Sequence, residues 1–93
     1  MKQQVHVVIS GMVQGVGFRQ FVRSNAKKLG ILGWVKNTPD NKVEAVFSSD
    51  KETIEKMIEI CRQGPFMSEV KDVAVLWEDS EVFPLEDFAI LPT

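Results

Sequence analysis

The chain has 93 residues, 44% of them apolar and 26% charged, with 11 basic and 13 acidic side chains for a formal charge of -2. That length builds one compact domain and not two, and the apolar fraction suffices for a core without staples. The slight acidity speaks against a chain whose task is to coat nucleic acid, since such domains are strongly basic.

After Met1 the chain enters an amphipathic pattern directly, with no secretory signal, and no apolar run reaches the length that spans a bilayer. A cytoplasmic, monomeric domain is the simplest expectation. Val5, Val7 and Ile9 alternate on one face, which predicts a first strand over residues 5–10. Residues 11–17 contain three glycines and read as a strand end followed by a loop. From Phe18 the period becomes helical: Phe18, Phe21, Val22, Asn25, Ala26 and Leu29 share a face, and Gly30 marks the stop. Residues 31–37 predict a second strand, Thr38-Pro39-Asp40-Asn41 a tight turn, and Val43, Ala45 and Phe47 a third strand. Ser49 and Glu52 have capping-box spacing and open a second helix, whose stripe is Ile54, Met57, Ile58 and Cys61. Gly64-Pro65 ends it; residues 70–77 give a fourth strand, and Phe88 and Ile90 a short last one.

Two strand-helix-strand units around a hairpin define an α+β, ferredoxin-like sandwich, βαββαβ with a short extra C-terminal strand. Right-handed crossovers place both helices on one face of an antiparallel sheet. Such a frame hosts many functions, so function must come from a site.

The candidate site is the loop Gln14-Gly15-Val16-Gly17-Phe18-Arg19 at the start of the first helix. A helix start leaves N–H groups without internal partners and is partly positive. Glycines allow consecutive N–H groups to curl around one anion. Arg19 falls in the first turn, where a cation is unfavourable by roughly 0.3–1 kcal/mol unless an anion lies between it and the dipole. Two readings stand on these residues alone: an ordinary glycine turn with a solvated arginine, or a nest for a single small phosphate. The nucleotide motifs fail, since a dinucleotide fingerprint would need glycine where Gln20 stands and a Walker loop would need Gly-Lys-Ser/Thr.

Other chemistry is sparse. His6 and Cys61 are each alone, so no metal-ligand spacing exists, and no Cys-x-x-Cys occurs. The strands lack the paired exposed aromatics of an RNA-binding sheet. His6, Cys61, Trp34 and Trp77 read as structural, and Arg23 as solvated or paired.

Taken together, Gly11-Met12-Val13-Gln14-Gly15-Val16-Gly17-Phe18-Arg19 with Phe21 and Val22 resembles the signature of acylphosphatases. Gly33-Trp34-Val35-Lys36-Asn37, with Pro39-Asp40 and residues 43–46, resembles that family's second signature, and Gly64-Pro65 and Phe88-x-Ile90 also match. The resemblance spans nearly the whole chain, residues 1–93 as one domain. It implies hydrolysis of small acyl phosphates to a carboxylate and inorganic phosphate, without metal or organic cofactor, nucleic acid or membrane. It further implies that Arg19 binds the phosphoryl group, that Gln14, Gly15, Val16, Gly17 and Phe18 form the cradle with it, and that Asn37 positions the attacking water. The alternative is a non-catalytic anion-binding or regulatory domain on the same fold. Three positions depart from the pattern: Met12 where a basic residue is usual, Asn41 for a turn glycine, and Phe66-Met67-Ser68 after Gly64-Pro65.

Overall fold

The computed structural model describes residues 2–78 and 86–92. Seven elements follow in order: β1 (Gln3–Met12), α1 (Phe18–Lys28), β2 (Leu32–Asn37), β3 (Val43–Ser49), α2 (Lys51–Gln63), β4 (Glu69–Glu78) and β5 (Phe88–Ile90). The sheet order is β4-β1-β3-β2-β5. β1 lies antiparallel to β3 and β4, and β3 antiparallel to β2, as the ferredoxin-like expectation requires. The extra strand departs from that rule. β5 joins the outer edge of β2 in parallel, with Gly33 opposite Phe88 and Val35 opposite Ile90, so the sheet is mixed.

Alternation along each strand decides what the sheet buries. Val5, Val7 and Ile9 from β1, Val35 from β2, and Val43, Ala45 and Phe47 from β3 are fully buried. Phe18, Val22 and Ala26 of α1 and Ile54, Met57, Ile58 and Cys61 of α2 close the same core. Val22 and Ala26 are four residues apart, and Val22 follows Phe18 at the same spacing, so one stripe of α1 carries the contact. Phe88 stacks on Phe47 at 5.9 Å between centroids and fixes β5 to this core. Burial pushes the Cys61 thiol up to about 12, so Cys61 acts as an apolar filler.

The opposite sheet face carries His6, whose Nε2 meets Glu44, while Lys36 lies 3.6 Å from that carboxylate and 5.5 Å from the Trp34 ring. These side chains share one face because their backbone partners are in register, His6 with Val46 and Trp34 with Val46 across β3.

The start of α2 corrects one expectation. Ser49 is still in the β3 ladder, opposite Gln3. The cap is Asp50, whose Oδ1 accepts from the Thr53 N–H at 2.8 Å. Sheet pairing holds Ser49 extended, so the first residue free of the ladder takes the cap, and Asp serves there as well as Ser. The β2–β3 turn follows its sequence: Asn41 adopts a left-handed φ of 66°, and Thr38 bonds to Asp40 and to Lys42. At the end of α1, Gly30 donates its N–H to the Lys27 carbonyl, as expected of a stop.

Candidate active site

Three connections meet at one end of the molecule: the β1–α1 loop, the β2–β3 turn and the α2–β4 turn. Antiparallel order requires this, because β1 and β2 both end there and α2 runs back to the same end. The β1–α1 loop crosses the top of β3 to reach the β2–β3 turn. Gln14 holds it there: its Nε2 donates to the carbonyls of Thr38 at 2.9 Å and Lys42 at 2.8 Å. Gln14 therefore braces the loop against the hairpin, and its amide hydrogens are not available to an anion. Val16 turns its side chain onto the core.

Gly15 and Gly17 both take left-handed backbone, φ 75° and 76°. A side chain at either would meet open space, so the requirement is conformational and not steric crowding. Left-handed residues in such a turn can bring successive N–H groups to one side. Gly17 is the N-cap of α1, makes no side-chain cap bond, and the first turn has no acidic residue. The first bond into the helix is from the Phe21 N–H to the Gly17 carbonyl at 3.0 Å. Among the described residues, the N–H groups of Phe18, Arg19 and Gln20 have no backbone acceptor.

Those groups border a cavity of about 250 Å³ lined by Val13, Gly15, Gly17, Phe18, Arg19, Gln20, Asn37 and Ile90. Arg19 comes from the first turn of α1, Asn37 from the last position of β2, and Ile90 from the end of β5. Among the described residues, neither the Arg19 guanidinium nor the Asn37 amide makes a side-chain hydrogen bond or ion pair. The Arg19 guanidinium, the Asn37 amide and a helix start thus share one space without protein partners among the described residues. A tetrahedral oxyanion is the ligand that this set of donors suits, since Arg presents a flat fork and backbone N–H groups add further bonds.

Most residues singled out in the sequence meet here. Gly15, Gly17, Phe18, Arg19 and Asn37 line the cavity; Gln14 and Val16 do not, and they support it from behind. Phe18 is buried, with its ring 5.9 Å from that of Phe21, so it contributes backbone to the site and side chain to the core. Arg23 lies outside the lining, near Asp87, which also pairs with Lys27 at 3.6 Å. The Phe88 N–H and then the Lys27 charge hold the Asp87 carboxyl below its ordinary range. Val13, Gln20 and Ile90 line it as well, and no site role was expected of them. Val13 and Gln20 flank the loop in sequence, but Ile90 reaches the cavity only because β5 pairs with β2 in parallel. No local pattern announces that pairing. His6, Trp34 and Trp77 do not line the cavity either.

The architecture is that of a ferredoxin-like α+β domain with a glycine loop and an open cavity at the start of its first helix. The family model for acylphosphatase matches residues 5–90. An acylphosphatase of Pelotomaculum thermopropionicum is 47% identical over 78 residues, covering 84% of this chain and 85% of that protein. One from Thermococcus kodakarensis is 46% identical over 88 residues, covering 95% and 94%. The crystal structure of acylphosphatase from Bacillus subtilis superposes with a TM-score of 0.93 at 34% identity, over 99% of this chain and 100% of that one. The chain belongs to the acylphosphatase family.

Proposed function

We propose that residues 1–93 act as a single-domain, cofactor-independent acylphosphatase, a monomer of the cytoplasm that hydrolyses small acyl phosphates. The observation that carries this reading is the convergence of polar groups unpartnered among the described residues: the start of α1, the Arg19 guanidinium and the Asn37 amide all border one cavity. Membership in the acylphosphatase family supports the choice of substrate class.

The chemistry closes on these groups. The N–H groups at the start of α1 and the Arg19 fork hold the three peripheral oxygens of the phosphoryl group. Asn37 accepts a hydrogen bond from a water and holds it in line with the bond to be broken, which lowers the entropy cost of attack. Water oxygen bonds to phosphorus as the bond from phosphorus to the acyl oxygen breaks. The electron pair leaves on the carboxylate, and both water protons finish on the phosphate: RCO–OPO3(2-) + H2O gives RCOO- + H2PO4-. The conjugate acid of the leaving group has a pKa of about 4, so it departs without a proton from the enzyme. A site without His, Cys or a carboxylate pair is then sufficient. Charge that spreads over the phosphoryl oxygens in the transition state falls on donors already oriented towards them.

The test is release of phosphate from acetyl phosphate and benzoyl phosphate, with inorganic phosphate as competitor. Turnover above the spontaneous rate and competitive inhibition are expected. A folded protein that binds phosphate and releases none from either substrate would instead be a non-catalytic anion-binding or regulatory domain.

A further inference from the structure

The cavity has one apolar wall that a small molecule or water can touch. Val13 and Phe18 line it but are 1% and 2% exposed, sealed behind the loop. Ile90 is 37% exposed. Its position is set with some care. Phe88 is buried on Phe47, so strand alternation directs Ile90 to the same, helix-facing side of the sheet. Ile90 lies opposite Val35, and the Leu91 N–H donates to the Val35 carbonyl at 2.9 Å. Val35 and Asn37 are two residues apart on β2 and point to that same side. At the other end of β5, the Gly33 N–H donates to the Asp87 carbonyl at 3.0 Å, and Asp87 Oδ1 accepts from the Phe88 N–H. A three-residue strand is thus pinned at both ends, and its last side chain stands diagonally beside Asn37.

We propose that Ile90 is a positioning residue for the attacking water. This rests on the reading that Asn37 holds that water. Among the described residues the cavity lining holds no general base, so the orientation of the water depends on which hydrogen bonds it makes. A polar neighbour would compete for them. The branched hydrocarbon of Ile90 offers none, which leaves the Asn37 amide and the phosphoryl oxygens as the partners of a water in this corner. Ile90 also narrows the corner, so fewer non-productive positions remain. Its hydrocarbon offers the phosphate no hydrogen bond, so its replacement acts on the chemical step and not on binding.

The experiment compares Ile90→Thr, Ile90→Ala and Ile90→Val, alone and combined with Asn37→Ala. Thr keeps the branch and the strand preference and adds a hydroxyl at the wall; Val keeps the wall apolar. With benzoyl phosphate, Ile90→Thr is expected to lower kcat roughly tenfold while KM and inhibition by inorganic phosphate stay within about twofold. Ile90→Val should stay within about twofold in every parameter. In the Asn37→Ala background, Ile90→Thr should add less than about twofold, because the ordered water is already lost. A normal kcat in Ile90→Thr overturns the proposal, as does a loss that falls in KM or in phosphate inhibition. If Ile90→Thr does not fold, as judged by its thermal melt, Ile90→Ala carries the same comparison. Near-normal turnover in Asn37→Ala alone sinks the water-holding role of Asn37 and this proposal with it; impaired Asn37→Ala with unimpaired Ile90→Thr sinks only the role of Ile90.

Discussion

The two helices of this domain begin in opposite ways. α2 starts at Asp50, whose carboxylate satisfies the Thr53 N–H, with Glu52 in the first turn to meet the helix dipole. α1 starts at a left-handed glycine with no side-chain cap, no acidic residue in the first turn, and an arginine in its place. Both lie in the same fold, so the difference is not imposed by topology. α2 is finished by its own sequence. The first turn of α1 has no such side-chain partner among the described residues. A helix start with unfilled donors and a guanidinium in its first turn is locally less stable than a capped one, and the proposed phosphate site is the reading that accounts for that cost.

The largest change to this contrast comes from Arg19. Arg19→Ala should lower turnover by on the order of 10²–10³-fold, and Arg19→Lys should lose most of it, since an ammonium cannot reproduce the fork. The same variants should lose the protection that phosphate gives. At a concentration 100 times its Kd, phosphate should stabilise the unaltered protein by about 2.7 kcal/mol, read as a rise in Tm that Arg19→Ala lacks. A full rise in Arg19→Ala would mean that another residue holds the phosphate.

Asn37→Ala comes next. It should reduce kcat by roughly 10²-fold while competitive inhibition by phosphate persists, separating the water from the anion. Gly17→Ala has a smaller reach. No atom would clash, but the left-handed backbone is held against its preference, at a cost of about 1–2 kcal/mol by thermal unfolding, with weaker phosphate inhibition. Retention of full stability and inhibition would show that the loop has another low-energy form.

The smallest effects test the capped helix. Asp50→Ala should lower Tm by roughly a few degrees and leave kcat/KM unchanged. Its hydrogen bonds from Thr53 hold the Asp50 carboxyl below its ordinary value of 3.8. The folded value is the depressed one, so the cap stabilises above 3.8 and that contribution fades as pH falls through the folded value. The Tm gap between Asp50→Ala and the unaltered protein should therefore close in the acid range below pH 3.8 and stay constant near neutrality. A gap that persisted at low pH would place the stabilisation elsewhere. Arg23→Ala, one turn beyond Arg19, should leave turnover within about twofold.

Much of this was legible along the chain. Alternation at Val5, Val7 and Ile9, the helical stripe from Phe18 to Leu29, and the left-handed Asn41 were local signals, and local geometry answered them. The cap of α2 was misread by one residue, from Ser49 to Asp50, because cross-strand pairing with Gln3 decides where β3 ends. Gln14 lies inside the glycine loop, and the family resemblance placed it in the cradle. Two hydrogen bonds to the hairpin, 24 and 28 residues away, make it a brace.

By itself, then, the order of amino acids determined the elements and the glycine loop before α1, because backbone conformation and periodicity depend on near neighbours; Asn37 was legible only through the family resemblance. The parallel docking of β5, the wall that Ile90 gives the cavity, and the meeting of Arg19 and Asn37 at one cavity were decided only by the tertiary structure. Those depend on contacts between residues distant in sequence, where burial of Phe88 on Phe47 and closure of the sheet edge, and not local preference, set the outcome.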